Sequence, residues 1–173
     1  MKKYIKNLLT KTELKIAHQY ALIRHKSEVH AFDETQTLLG ETSYYADPLT
    51  ELLLEKTVPR VEKELGKSVW PTYSFFRVYN KFSQLKKHTD RPACEISISC
   101  TLGGDKEWPL IVGGKKIIIH PGDGFLYYGG KVEHWREEYD GDYQAQVFFH
   151  YVEKEGKHAD EKFDKRQYLG LSK

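Results

Sequence analysis

The amino-acid sequence predicts a mainly β domain preceded by helices. Apolar residues recur at helical spacing in the first part of the chain, whereas short β-rich segments between turn residues make up the later part. The chain has 173 residues, the length of one ordinary domain, and it contains no internal repeat. We therefore expect a single domain with a helical support (1–69), a β core (70–152) and a charged C-terminal extension (153–173). Phe163 and Tyr168 are the residues expected to dock this extension on the surface.

Two helices are predicted in the first part. The first lies within TKTELKIAHQYALIRHKSE, with Thr10 or Thr12 as the N-cap. The second follows Asp47, a good N-cap residue, has a proline at its first position, and is expected to end at Gly66. Pro59 lies inside this second segment and is expected to break or kink the helix, because proline lacks a backbone N–H.

The later part contains six β-rich segments. They are TYSFFRVY, ACEISISCTL, PLIV, KKIIIH, GFLYY and QAQVFFHYV. Turn sequences such as GGDKEWP, VGGKK and HPGDG separate several of them. Short strands at this spacing are typical of an antiparallel sandwich, barrel or jelly roll, in which paired sheets leave an opening for a ligand.

Composition excludes several classes of function. With 27 basic and 25 acidic residues, the chain has no broad basic surface for nucleic acid. No apolar run approaches the roughly 18 residues of a membrane span, and the N-terminus lacks the features of a secretory signal. We therefore expect a soluble, cytoplasmic protein. Cys94 and Cys100 fall within one predicted strand, where a rise of about 3.3 Å per residue keeps their sulfurs too far apart for a disulfide.

His88, Asp90 and His134 form a candidate metal site. Two imidazoles and one carboxylate leave coordination positions open, and this ligand set suits ferrous iron in non-haem oxygenases. His88 and Asp90 are two residues apart and can point to the same side of an extended backbone. His134 follows after enough strands for the chain to return to the same place. An isolated His-x-Asp is weak evidence in a chain with eight histidines, so the surrounding sequence decides its value.

The surrounding sequence contains two longer motifs. YNKFSQLKKHTD places Tyr79 before the metal-binding His-x-Asp, and IIIHPGDGFLYYGGKVEHW leads from a PGD turn through an aromatic strand to the distal histidine. The closing strand QAQVFFHYV follows. On these motifs the segment from Pro71 to Val152 resembles the core of an iron(II)/2-oxoglutarate-dependent dioxygenase, and it is most similar to the prolyl-4-hydroxylase-like group. The resemblance implies a double-stranded β-helix, or jelly roll, as the core at 70–152.

The same resemblance implies a chemistry and a set of site residues. His88, Asp90 and His134 would bind Fe(II), and Tyr79 would line the pocket of the co-substrate 2-oxoglutarate. The implied reaction uses O2 to hydroxylate a C–H bond of a peptidyl substrate, prolyl peptides included, or of a small molecule, while 2-oxoglutarate is decarboxylated to succinate. The carboxylate of Asp90 favours hydroxylation over halogenation, because related halogenases have a small residue there. Nucleic acid and membranes are not expected as partners.

The chain departs from the family at one important position. The family has an arginine or lysine shortly after the distal histidine, where it pairs with the far carboxylate of 2-oxoglutarate, but positions 143–146 here are Tyr, Gln, Ala and Gln. A buried dicarboxylate without a cationic partner would cost several kcal/mol of desolvation. We expect Arg136 to supply the cation, then Arg77, with Arg91 and Lys106 as further candidates. Arginine ranks above lysine because its guanidinium binds a carboxylate through two parallel hydrogen bonds.

Two other functions remain open at this point. A cupin-like metal-binding jelly roll could use the same three ligands without an oxo-acid, as a lyase, an isomerase or a binding module. A degenerate family member could serve as an interaction domain, although the intact ligands argue against it. His120 and His150 are interpreted as packing residues on apolar strands, with the alternative that His150 lines the pocket.

Overall fold

The computed structural model describes residues 1–27, 31–32 and 42–171, so parts of the predicted helical support and the last two residues of the extension lie outside it. The described residues form strands and two α-helices. In chain order they are β1 (Lys2–Ile5), α1 (Lys11–Lys26), β2 (Ala31–Phe32), β3 (Thr42–Tyr45), α2 (Pro48–Leu65), β4 (Val69–Asn80), β5 (Leu85–His88), β6 (Ile96–Gly104), β7 (Leu110–Val112), β8 (Lys115–Ile117), β9 (Gly124–Tyr127), β10 (His134–Arg136) and β11 (Tyr143–Glu153).

The strands form two antiparallel sheets. The larger has the order β1-β9-β6-β11-β4-β3-β2, and the smaller has the order β5-β10-β7-β8. Of the eight strands β4 to β11, four lie in each sheet, β4, β6, β9 and β11 in the larger and β5, β7, β8 and β10 in the smaller, which is the pattern of a double-stranded β-helix. The predicted fold class is therefore confirmed, and the longest strands, β4 and β11, pair along most of their length at the centre of the larger sheet.

The helix ends follow the predicted capping residues. Thr10 is the N-cap of α1, where its hydroxyl accepts from the N–H of Glu13 at 3.3 Å and the Glu13 carboxylate accepts from the N–H of Thr10 at 2.8 Å. Asp47 caps α2 by accepting from Leu49 N–H at 3.1 Å. Gly66 ends α2 with a left-handed φ of 69°, a conformation that glycine adopts without steric cost.

The predicted break at Pro59 was wrong, because α2 continues through this residue to Leu65. The helix buries Leu54 on one side of the proline and Val61 on the other, both with no exposed surface. Burial of such side chains stabilises by about 1.5–3 kcal/mol each, which offsets the backbone hydrogen bond that Pro59 cannot donate.

The main hydrophobic core lies between the two helices and the outer face of the larger sheet. Phe76 of β4 and Val147 and Phe149 of β11 are fully buried there, together with Ala17 of α1 and Leu54 of α2. Because side chains alternate along a strand, the neighbours of these core residues point to the opposite face, into the space between the two sheets. That inner space contains the candidate site.

Several short strands were not predicted from the sequence. They are β1, β2, β3, β5 and β10, and the first three show that the N-terminal region contributes strands to the larger sheet as well as helices. Cys94 lies in a 3-10 turn before β6 rather than in the same strand as Cys100, and both cysteines are free and buried. Within the described residues, no helix is long and apolar enough to cross a membrane.

The C-terminal extension is held by buried charged residues, and Tyr168 does not dock it. Tyr168 is 61% exposed, whereas Asp164 is fully buried. Asp164 receives two hydrogen bonds from Arg91, at 2.6 and 2.8 Å, and Arg166 pairs with the buried Glu51. The expectation was wrong for Tyr168, whereas Phe163 is partly buried and Leu169 packs against the main core. The charged contacts were missed because the sequence does not reveal which partner each buried ion finds.

Candidate active site

The structure brings together the three predicted metal ligands. His88 is the last residue of β5 and His134 is the first residue of β10, and the two are directly opposite each other in this antiparallel pair. Asp90 follows in the loop after β5, where its N–H donates to Gly129 O at 2.9 Å. A side chain on Gly129 would begin only 2.1 Å from Asp90 Oδ2, so glycine is required for this close approach. The pairing of β5 with β10 therefore sets the distance between the histidines.

The ligand atoms of these residues surround a common point. Asp90 Oδ1 is 3.5 Å from the Nε2 atom of His88 and 3.5 Å from the Nε2 atom of His134. One ligand atom of each residue lies within 4.8 Å of the other two. Three protein ligands would leave the other coordination positions of a bound ion open.

Backbone hydrogen bonds fix the orientation of both imidazoles. His88 Nδ1 is 2.7 Å from Lys86 O, and His134 Nδ1 is 3.0 Å from Val132 O. A carbonyl oxygen only accepts, so each Nδ1 carries a proton, and when the imidazole is neutral the free electron pair is on Nε2. This is the tautomer that a histidine needs for metal binding through Nε2, and the donor set fits Fe(II).

The electrostatics of the site keep Asp90 ionised. Burial alone would raise its pKa, but the hydrogen bonds with His134 and His88 outweigh burial and hold the pKa well below its usual range. Ser97 also donates a hydrogen bond to Asp90 Oδ2, at 2.8 Å. For His88, burial lowers the pKa, but the hydrogen bonds with Asp90 and Lys86 O outweigh it and raise the pKa. The result is a fixed negative charge between two imidazoles.

A cavity of about 430 Å³ opens beside this cluster. The inner faces of β4 and β11 form one wall, and the loop after β5 forms another. Its lining combines aromatic rings with a few polar groups, namely Tyr45, Tyr73, Phe75, Arg77, Tyr79, Leu85, Thr89, Arg91, Cys94, Tyr127, Phe148 and His150, beside His88, Asp90 and His134. Its size and mixed lining are typical of a small-molecule site.

The predicted pocket residue Tyr79 lines the cavity and is fully buried. It lies opposite Gln144 in the register of β4 and β11, within the stretch 143–146 where the family has its cation. Arg77 lies one register step closer to the metal cluster, opposite Gln146. Arg77 is also buried, lines the cavity, and packs its guanidinium 4.9 Å from the ring centre of Phe75.

Arg136 is as deeply buried as Arg77, and each of the two residues is 2% exposed. It lies two residues after His134 on β10, beyond a register irregularity, and it is not among the residues that line the cavity. Its Nη1 donates to Trp108 O, whereas no described residue accepts from its Nε or Nη2. Burial lowers the pKa of Arg136 to about 10, so the group remains a cation at neutral pH. It packs 4.9 Å from the ring centre of Trp108, which in turn packs 4.9 Å from Tyr79.

The remaining cationic candidates are engaged elsewhere. Arg91 lines the cavity but forms a double hydrogen bond with the buried Asp164. Lys106 forms an ion pair with the exposed Asp140, at 3.0 Å. Arg136, whose Nε and Nη2 have no acceptor among the described residues, is therefore the first candidate, and Arg77, which lines the cavity, stays the second.

Two histidines and one strand differ from their sequence interpretation. His120 is not a packing residue, because its side chain is 64% exposed. His150 is buried and lines the cavity, as the alternative interpretation held. The inner face of β6 was missed, although its signal was present: in ISISCT the polar residues Ser97, Ser99 and Thr101 recur with the period of a strand and place hydroxyls inside the fold.

Solved structures share this fold. A Pseudomonas putida prolyl-4-hydroxylase has a TM-score of 0.68 at 14% identity, covering 88% of this chain and 92% of that chain. A Trichoplax adhaerens prolyl hydroxylase, solved with a hypoxia inducible factor peptide fragment, has a TM-score of 0.69 at 12% identity, covering 88% and 84%. The non-haem α-ketoglutarate-dependent epimerase SnoN of nogalamycin biosynthesis has a TM-score of 0.67 at 10% identity, covering 88% and 78%.

These likenesses confirm the predicted resemblance at the level of the fold. Neighbours include SnoN with Fe3+ and α-ketoglutarate bound, and a viral collagen prolyl hydroxylase solved as its 2-oxoglutarate complex. By sequence, no protein family and no curated protein matches the chain.

Proposed function

We propose that this protein, with a fold shared by 2-oxoglutarate-dependent iron oxygenases, is itself an iron(II)- and 2-oxoglutarate-dependent oxygenase. The proposed reaction is hydroxylation of a C–H bond in a peptidyl substrate, prolyl peptides included, or in a small molecule. One observation carries the proposal: His88 Nε2, His134 Nε2 and Asp90 Oδ1 converge on one point at the wall of a cavity.

The protein residues provide the binding geometry for this chemistry. When bound, iron and 2-oxoglutarate supply the oxidation of the substrate by O2, in which one oxygen atom enters succinate, the other enters the product hydroxyl, and CO2 is released. The tautomers of His88 and His134 are fixed by backbone carbonyls, so both present an electron pair to the ion without rearrangement. The ionised Asp90 completes the ligand set, and the aromatic wall excludes water from the reacting C–H bond.

Arg136 is the proposed partner of the far carboxylate of 2-oxoglutarate. Its Nε and Nη2 are buried without a partner among the described residues, and leaving such donors unpaired is costly. A carboxylate accepts hydrogen bonds from two such nitrogens at once. Arg136 also packs against Trp108, which contacts Tyr79, and Tyr79 lies opposite Gln144. This supports Arg136 as the replacement for the cation that the family places in 143–146.

Tyr79 and Arg77 have supporting roles in the proposal. Tyr79 lines the cavity on the side towards Arg136, where its hydroxyl can donate to the same carboxylate. Arg77 lies closer to the metal cluster and is the second candidate for the carboxylate. The two arginines are separable by experiment, because each can be replaced by glutamine, which keeps a polar side chain but removes the charge.

The test is an anaerobic titration of the Fe(II)-loaded protein with 2-oxoglutarate, monitored by the visible metal-to-ligand charge-transfer band that chelation produces. We expect a saturable band in the wild type and no band in His134→Ala, which should lose tight iron binding. His120→Ala is the matched control, because His120 is exposed and outside the cavity. Undiminished iron affinity in a folded His134→Ala protein would remove this residue from the ligand set.

The same titration ranks the arginines. Arg136→Gln should weaken 2-oxoglutarate binding by about 1.5–3 kcal/mol, the usual contribution of a hydrogen bond to a charged group, without changing iron affinity. Arg77→Gln should have the smaller effect. The reverse order would transfer the role to Arg77.

Two outcomes would select other functions. Iron binding without a charge-transfer band would favour the cupin-like alternative, in which the metal acts without an oxo-acid. A band together with 2-oxoglutarate turnover but no hydroxylated product would favour another oxidation, and SnoN illustrates that this fold also occurs in an epimerase. Product analysis by mass spectrometry distinguishes hydroxylation, through the gain of one oxygen atom.

A further inference from the structure

A chain of hydrogen bonds links Asp90 to His150, a neighbouring residue of the cavity lining. Ser97 Oγ lies 2.8 Å from Asp90 Oδ2 and 3.0 Å from His150 Nδ1, and it is 3.3 Å from Cys94 O. Ser97 and His150 are directly opposite each other in the register of β6 and β11, and both are buried. The central pairing of the larger sheet therefore holds this chain in place.

The chain determines which nitrogen of His150 carries the proton. A serine hydroxyl has one proton to donate, and both Asp90 Oδ2 and Cys94 O can only accept. The ionised Asp90 Oδ2 is the nearest and the only charged acceptor of the three, so Ser97 donates its proton to it and the hydroxyl oxygen is left to accept from His150. His150 must therefore donate through Nδ1, and its Nε2 keeps a free electron pair.

The surroundings of His150 maintain this neutral form. Burial lowers the pKa of His150 to about 4, so the imidazole is uncharged at neutral pH. Its ring packs against Tyr73, with the ring centres 4.6 Å apart. Nε2 is at the tip of a side chain that points inward from β11 and lines the cavity, and no described residue donates a hydrogen bond to it. The cavity therefore has a fixed hydrogen-bond acceptor on this wall.

The co-substrate cannot satisfy that acceptor. At neutral pH 2-oxoglutarate and succinate carry only oxygen acceptors, and an acceptor facing an acceptor is repulsive. The donors that suit 2-oxoglutarate are at the other end of the inner space, at Arg136 and Tyr79. The acceptor on His150 is thus at the opposite end of the inner space from Arg136, and the cationic neighbour on its own wall, Arg91, is held by Asp164.

We propose that His150 is a specificity-determining residue, whose Nε2 accepts a hydrogen bond from an N–H or O–H group of the substrate, and that Ser97 holds it in this role. This inference rests on the proposed oxygenase function for its distinction between substrate and co-substrate. The substrate class is then a compound with a donor close to the oxidised carbon, such as a secondary amide or an alcohol. The nitrogen of a peptidyl proline has no N–H, so a prolyl substrate would have to supply the donor from a neighbouring residue.

The first test measures the tautomer of His150 in the metal-free, full-length protein. Long-range 1H–15N correlation spectra of the labelled protein distinguish a protonated ring nitrogen from an unprotonated one. We expect a protonated Nδ1 and an unprotonated Nε2 in the wild type, and a mixture of tautomers in Ser97→Ala. A protonated Nε2 in the wild type would overturn the proposal. This measurement needs neither iron nor 2-oxoglutarate, so its result does not depend on the proposed function.

The second test uses two probes that differ in a single N–H. Protein loaded with Zn(II) and 2-oxoglutarate is titrated with N-methylacetamide and with N,N-dimethylacetamide, and the His150 Nε2 resonance is followed. We expect a saturable shift with the first probe only, and 2-oxoglutarate affinity within twofold of wild type in His150→Phe. Three results would each refute the proposed role of His150. They are equal responses to the two probes, no response to either probe, and a tenfold loss of 2-oxoglutarate affinity in His150→Phe. Failure of the wild type to bind 2-oxoglutarate would instead refute the proposed function and leave the tautomer result intact.

Discussion

The ion pair between Arg166 and Glu51 offers a quantitative test of how the C-terminal extension is held. Both side chains are 2% exposed, and Arg166 donates to both carboxylate oxygens of Glu51, at 2.6 and 3.1 Å. The same guanidinium donates to Thr72 O at 2.9 Å, Phe163 O at 2.8 Å and Leu171 O at 2.7 Å. Arg166→Met would therefore leave a buried carboxylate without its cation and three carbonyls without their donor.

The expected loss is large because the remaining charge stays buried. Removing one partner of a buried ion pair costs about 3–5 kcal/mol, a substantial part of the 5–15 kcal/mol that stabilises a typical domain. The free energy of unfolding, measured by urea denaturation and followed by circular dichroism, should fall by this amount. The double variant Glu51→Gln/Arg166→Met should recover about 1–3 kcal/mol, because the uncompensated charge is gone.

Lys165 provides a control in the same segment. It pairs with Asp160 at 3.5 Å and with Glu161 at 3.0 Å, but its side chain is 58% exposed. Lys165→Met should therefore cost less than about 1 kcal/mol. If Arg166→Met were no more destabilising than Lys165→Met, the extension would not be anchored by the buried ion pair and the reasoning would fail.

Two further predictions concern the faces of β11 and its buried histidine. Phe149→Ala should lower the free energy of unfolding in urea by about 3–5 kcal/mol, because Phe149 is fully buried in the core under the helices. Phe148→Ala should lower it clearly less, because Phe148 is half-buried and lines the cavity. Similar losses in the two variants would contradict the assigned strand register. Burial lowers the pKa of His150 from 6.5 to about 4, so between these pH values the unfolded chain binds a proton that the folded chain excludes. The free energy of unfolding of the metal-free protein should therefore decline as the pH falls through this window, by about 3 kcal/mol in total. His150→Phe should remove this part of the pH dependence, and an unchanged slope between pH 6.5 and 4 would rule out the assigned cause.

The sequence was sufficient for the elements that depend on local patterns. Thr10 and Asp47 could be identified as N-caps because capping needs a particular side chain at a particular position relative to the helix. The long strands β4, β6 and β11 follow from runs of β-branched and aromatic residues. The short strands β5 and β10 carry the metal-site histidines, yet three or four residues with charged side chains do not show a strand pattern.

The candidate ligands His88, Asp90 and His134 could also be chosen from the sequence, because their types and order suit one ion. The preference for Arg136 came from the absence of a cation in 143–146, and the structure supplies the unpaired nitrogens that support it. That the ligands bind iron, and that Arg136 binds 2-oxoglutarate, stay predictions.

By itself the sequence determined the fold class, the helix ends and the candidate ligands, since each follows from the types of residues and their order and spacing along the chain. Only the tertiary structure decided that Arg91 is committed to Asp164, that α2 continues through Pro59, and that Ser97 lies between Asp90 and His150. The physical reason is that buried charges and hydrogen-bond donors must find partners across the fold. Those partners lie many residues away in the chain, so their identity depends on strand register and helix packing rather than on local sequence.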